Sequence, residues 1–289
     1  MVAAEPGSRR IRPAVPLLDG LFGKLGAGPI PIPVAPSVPV SFRVYYTPGY
    51  PPLLPEDLRT HATAWATAHV EEPLRSALLP LLGSAALSYT DMAKTAFPPP
   101  LDLLQKADVG DEERSRFEKA WQVTVVACDA TDQVPMFGLW VAIAAGRSAA
   151  LELKGALFDA PAVRLTAIAS YELAIPGNGA LRVDDHVAFP SDPDPSGFIR
   201  WHTTGMGKFG LPELVLPAEP GQDLGPALRA LAQQIVDSLL RANHGRPQPL
   251  TELVLAPEAN LALSTGPAHL KLHLAPSQAG VPTLVAVPV

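Results

Sequence analysis

Proline at every second position, in the run Pro29-Ile30-Pro31-Ile32-Pro33, constrains this chain more than any other feature. Proline lacks an amide hydrogen and fixes φ, so the run is excluded from helix interiors and from the middle of a sheet. It is extended, either polyproline-like or an edge strand. The first 55 residues hold 12 of the 34 prolines, and no charged residue lies between Lys24 and Arg43. An apolar, uncharged strip of this kind is expected to lie on protein rather than hang in water, on its own domain or on a neighbouring copy. We therefore read residues 1–37 as a proline-rich arm and residues 38–289 as one domain, with possible sub-halves 38–119 and 120–289.

Past the arm, Val38 to Tyr46 is strand-like, and Pro55-Glu56-Asp57 opens a helix with Leu58, Ala62, Trp65 and His69 on one face. That spacing predicts a core position for His69. Ala85 to Tyr89 and Trp121 to Cys128 read as strands, Phe137 to Leu153 as a helix apolar nearly all round, and Ala156 to Phe158 as a returning strand. Turn-separated strands are expected at Arg182–Phe189, Phe198–Thr203 and Leu211–Leu216. The strongest helix follows Asp223, with Leu224, Leu228, Leu231, Ile235 and Leu239 on one stripe. Strands at Leu250–Leu255, His269–Leu274 and Thr283–Val287 complete an α+β chain with a mixed, largely antiparallel sheet and packed helices.

Composition narrows the function classes. The formal charge is −6 and no run of Lys or Arg exists, which argues against nucleic acid. The longest apolar stretch, Gly138 to Gly146, is too short to span a bilayer, which argues against a membrane. Ser8-Arg9-Arg10 resembles an export signal, but Pro13, Pro16 and Asp19 interrupt the apolar region that must follow. With the single cysteine, Cys128, inside an apolar run, a cytoplasmic location is expected.

No motif establishes catalysis. Gly205-Met206-Gly207-Lys208-Phe209-Gly210 fits G-x-G-x-x-G, yet a strand follows where a dinucleotide site needs a helix N-terminus, and Lys208 is not followed by Ser or Thr. Asp192-Pro193-Asp194-Pro195-Ser196-Gly197 copies half a calcium loop, with Thr203 where the bidentate Glu belongs, and reads as a turn. His269 and His273 sit four residues apart on a strand, about 13 Å apart, too far to share one zinc. No cofactor and no metal is expected. The residues that could supply acid–base or metal chemistry are Asp185, His186, His202 and Glu213, with Asp184 and His186 on one face of the expected strand and Asp185 opposite.

Trp201-His202-Thr203-Thr204-Gly205-Met206-Gly207-Lys208-Phe209-Gly210-Leu211-Pro212-Glu213-Leu214 resembles the H-T-x-G-(L/M)-x-x-F-G-x-P-E-(L/I) motif of uncharacterised bacterial families of unknown function. In those families, similarly, an amphipathic helix follows the motif, and a strand, a helix and a returning strand ending in Asp precede it. The resemblance implies a shared fold, a bacterial setting and no known activity. On the residues alone, the glycines permit positive φ in a tight connection that Met206, Phe209 and Pro212 plug against the core. An interaction surface at Trp201, His202, Thr203, Gly205, Met206 and Phe209 is the alternative. The sequence thus leads to a non-enzymatic protein that acts by protein–protein contacts, as a homo-oligomer or a neutraliser of a partner. The alternative is a metal-dependent or acid–base hydrolase using the four residues above.

Overall fold

The computed structural model describes residues 28–35, 38–49, 52–98, 110–129, 136–167, 181–195, 197–243, 250–276 and 282–288. The described part of the arm, residues 28–35, carries a strand. β1 (Ile30–Pro33) pairs antiparallel with β10 (Glu252–Leu255), Ile32 opposite Leu253, and the pairing continues as the Val34 amide donates to the Thr251 carbonyl at 2.9 Å. Backbone direction alternates along a strand, so the amides of Ile30 and Ile32 face β10 with that of Val34, and the prolines face the outer edge. The proline alternation therefore specifies an edge strand that pairs on one side only. Ile32 and Val34 are buried in the main core while Pro31 and Pro33 are exposed.

The first large sheet runs β3 (Leu87–Ala93), β4 (Gln122–Cys128), β2 (Val40–Tyr46), β5 (Ala156–Asp159), β6 (Arg164–Thr166), all neighbours antiparallel. β4 lies between β3 and β2, so a division at residues 119 and 120 would cut this sheet. Among the described residues four helices accompany it: α1 (Pro55–His69), α2 (Leu74–Leu82), α3 (Asp111–Lys119) and α4 (Phe137–Glu152). α4 is buried on nearly every side because it is sandwiched between the sheet and α1 with α2, and Gly146 lets it approach closely, since a Cβ there would meet Phe42 Cβ at 3.2 Å. α3 closes the opposite face, where Phe117 packs on Tyr45 with ring centroids 4.7 Å apart.

The second sheet runs β11 (Glu258–Leu263), β12 (Gly266–Ala275), β13 (Thr283–Pro288), β9 (Leu214–Ala218), β8 (Ile199–His202), β7 (Ser191–Pro193), antiparallel except for the parallel pair β13 and β9. α5 (Gly225–Asn243) covers it with Leu228, Leu231, Ile235 and Leu239, and the Asp223 carboxylate accepts the Gly225 amide at 3.0 Å as expected of a start signal. One apolar cluster runs through both sheets, from Phe42 and Leu157 to Leu214 and Leu270. The fold is α+β, and no helix among the described residues is long and apolar enough to cross a membrane.

Three local expectations are corrected. Arg182–Phe189 is no strand but a 3-10 turn at Val183–Asp185, held by Gln233 of α5, whose amide accepts from the Val183 N–H and donates to the Leu181 carbonyl, both at 2.8 Å. The strand expected from Leu211 starts at Leu214. β11, which follows Pro257, goes unread in the sequence. His69 is exposed and stacks on Trp65 at 5.3 Å, because Ala66 and Val70 supply the buried stripe one residue further on.

Candidate functional site

The stretch from His202 to Leu214 leaves β8, makes one 3-10 turn at Met206–Phe209 and enters β9. Gly205 (φ 117°) and Gly210 (φ 72°) bracket the turn in the left-handed region, and side chains there would collide with the carbonyls of His186 and Ala35, at 2.8 and 2.5 Å. The requirement is specific: a Cβ on Gly207 would meet nothing within 4 Å. Met206 and Phe209 fill the core beneath, as the sequence predicts.

Glu213 closes the turn from above. Its carboxylate accepts the Gly205 amide at 2.9 Å, the Met206 amide at 3.3 Å and the Thr203 hydroxyl at 2.6 Å, with the Gly207 amide at 3.5 Å. Thr203 Oγ1 in turn accepts the Leu214 amide at 2.8 Å. An anion at the first amides of a helical turn satisfies donors that the turn itself leaves over. Both oxygens of Glu213 are thereby engaged by groups within ten residues of it.

Lys208 points the other way. Its ammonium donates to Asp159 Oδ2 at 2.5 Å, and both side chains are wholly removed from solvent. Asp159 ends β5, and its other oxygen accepts the Ala162 amide at 3.1 Å. The pair ties the turn of the second sheet to a strand of the first. Burial pushes the Lys208 ammonium below the ordinary lysine range, opposed by the Asp159 carboxylate beside it. The arm reaches the same place, where the Ala35 amide donates to the Gly210 carbonyl at 2.8 Å.

Of the four residues with acid–base potential, His186 and Glu213 both border this turn, His186 against the Phe209 ring and Glu213 on the turn's amides. His186 is buried, with the rings of Trp140 and Phe209 edge-on at 5.5 and 5.7 Å. Asp185 and His202 serve other neighbours. The Asp184 and Asp185 carbonyls accept the Arg164 guanidinium at 3.0 and 2.7 Å, and burial raises the Asp185 carboxyl above the usual range. Because the segment is a 3-10 turn, the face expected to unite Asp184 with His186 does not exist. Asp184 reaches Arg229 of α5 at 3.3 Å instead. His202 Nδ1 lies 3.7 Å from Asp192 across the β7–β8 hairpin. That hairpin turn is where the calcium-like sequence falls, closed by the Asp194 amide on the Phe198 carbonyl at 2.7 Å. Among the described residues no group of three or more His, Cys, Asp or Glu side chains is placed to hold a metal ion.

Of the six residues read as an interaction surface, Thr203, Gly205, Met206 and Phe209 are buried, and only Trp201 and His202 reach solvent in part. The Lys208–Asp159 pair was not singled out from the sequence. Its signal is a lone lysine between the two apolar plugs of a glycine-rich turn, since a cation carried into a core needs an anion there. Comparison with family models, curated proteins and solved structures finds no match to this chain.

Proposed function

We propose that the chain works through contacts with other proteins. The observation that carries this reading is an apolar display at one edge of the first sheet. Trp121, just before β4, is 57% exposed, and Met92 on the edge strand β3 is 38% exposed. Met92 pairs with Val123, two residues along the chain from Trp121. The Trp121 carbonyl accepts the Lys94 amide at 3.0 Å, which fixes the backbone beneath the indole. A rigidly based, exposed tryptophan beside a second large apolar side chain is the chemistry that anchors protein interfaces. The inward use of Glu213 and Lys208 supports the same reading, because the charged groups of the motif bind the chain to itself.

The test is affinity purification from the native cell of the wild-type chain and Trp121→Ser, with light scattering on both purified proteins. The reading expects a stoichiometric companion protein, or a dimer mass, that Trp121→Ser loses without a change in melting temperature. Identical companions and a monomer mass for both would overturn it.

A further inference from the structure

β3 is the end strand of the first sheet, with β4 as its ladder partner among the described residues. The Asp129 amide donates to the Ala86 carbonyl at 2.9 Å and the Lys94 amide to the Trp121 carbonyl at 3.0 Å. The even-numbered residues between them therefore bond to β4, and the odd-numbered ones turn their backbone groups outward. Leu87 is closed on that side, its carbonyl taken by the Arg59 guanidinium and its amide by the Ser84 carbonyl. Tyr89 and Asp91 stay open. Among the described residues the other sheet edges are blunted: β1 by alternate prolines, β6 and β7 by a length of three residues, β10 and β11 by the exposed Glu252 and Glu258. β3 runs seven residues without proline, and its one charge, the Asp91 carboxylate, is turned back along its own sheet to accept from Thr124 and Tyr46. An edge of this kind is a template for another strand.

We propose that β3 pairs with β3 of a second copy of the chain, antiparallel about a two-fold axis at Thr90, so that the two first sheets become one. The occupant follows from charge. Arg59 lies over the Tyr89 ring at 5.7 Å, and neither Arg59 nor Asp91 has an ionic partner in its own chain among the described residues. An axis at Thr90 sets Asp91 opposite the partner's Tyr89, which brings the carboxylate of each copy to the guanidinium of the other, twice by symmetry. The neighbouring registers fail. An axis at Tyr89 drives Asp91 onto the Leu87 carbonyl that Arg59 holds, one at Asp91 opposes two carboxylates, and one at Met92 leaves Tyr89 unpaired and the ions apart. The inference rests on the protein-contact reading and names its partner.

The test is light scattering of the full chain, wild type and Thr90→Lys, with two cysteine variants under mild oxidation. Thr90 is exposed and its backbone bonds to β4, so the lysine substitution acts at the axis alone. The expected result is a dimer mass for the wild type that Thr90→Lys halves with unchanged far-ultraviolet circular dichroism, since two ammonium groups then meet. A non-hydrogen-bonded antiparallel pair sets its Cα atoms about 4.5 Å apart, within disulfide reach, so Thr90→Cys is expected to cross-link two chains. Met92→Cys is expected not to, because Met92 faces the partner's Ser88. The cross-link decides the matter if Thr90→Lys does not fold. A wild-type monomer mass, a dimer that Thr90→Lys leaves intact, or equal cross-linking of the two cysteine variants would overturn the inference. A monomer that captures a companion protein, lost on Trp121→Ser, would overturn it alone and leave the protein-contact reading standing.

Discussion

Breaking the Lys208–Asp159 pair one side at a time is the perturbation whose cost the structure defines best. Both side chains are fully buried at 2.5 Å, and the pair joins the end of β5 to the turn before β9. Removing one partner of such a pair strands the other in a low-dielectric core, and costs about 3–5 kcal/mol. Lys208→Met leaves Asp159 with the Ala162 amide, and Asp159→Leu leaves an uncompensated ammonium, so the second change is expected to cost at least as much as the first. With ~1 kcal/mol worth ~2–4 °C in a chain of this size class, each single variant should melt roughly 6–20 °C lower. The double variant should recover most of that loss, since a buried pair replaced by apolar groups of similar volume is often neutral, less about 1 kcal/mol for the stranded Ala162 amide. The assay is urea unfolding of all four chains as a double-mutant cycle. Additive single effects, or single effects below about 1 kcal/mol, would refute the reasoning, because a surface pair behaves that way.

The glycines of the motif give a graded test: Gly205→Ala and Gly210→Ala should each destabilise by more than about 1 kcal/mol, because a left-handed residue with a Cβ is strained and both sites face a carbonyl at contact distance, while Gly207→Ala should be near neutral. Thermal melts of the three distinguish them directly. Phe209→Ala should cost about 3–5 kcal/mol as a buried aromatic truncation, against about 0.5 kcal/mol for His202→Ala at the half-exposed hairpin, and equal shifts would contradict the burial described. The Cys128 thiol is buried and pushed up to about 11, so its folded value lies above its unfolded one. The stabilising contribution is then complete below the unfolded value and fades as pH rises through the folded one, and denaturant melts between pH 8 and 11 should show a decline that Cys128→Val reduces.

How far the fold was legible follows from which signals were local. The alternating prolines, the Leu228–Leu239 stripe and the all-round apolar helix each follow from the period of one segment, and each appears where expected. Arg182–Phe189 failed because its alternation is real while its backbone is bent by a partner 50 residues away, Gln233, which no local pattern reveals. His69 failed by one step of helical phase, since small alanines rather than large residues mark the buried stripe of α1. At the motif the glycine geometry was readable from the residues alone, for two of the three glycines. The use of Glu213 was not, because a carboxylate that caps a turn and one that abstracts a proton are written with the same residue. Asp159 was invisible as a partner for Lys208, since their meeting requires two sheets to be placed against each other.

The central claim is that the charged groups of the motif are structural and face inward, and Lys208 tests it most directly. A lysine with a depressed pKa is the most reactive amine in a protein if a reagent can reach it, and the least reactive if it is sealed. Mass spectrometry after brief amine labelling of the native chain ranks Lys208 against the exposed Lys119 and Lys154. The account predicts that Lys208 stays unmodified until the chain is unfolded and then reacts like the others. Labelling of Lys208 in the native chain as fast as Lys119, or faster, would contradict it.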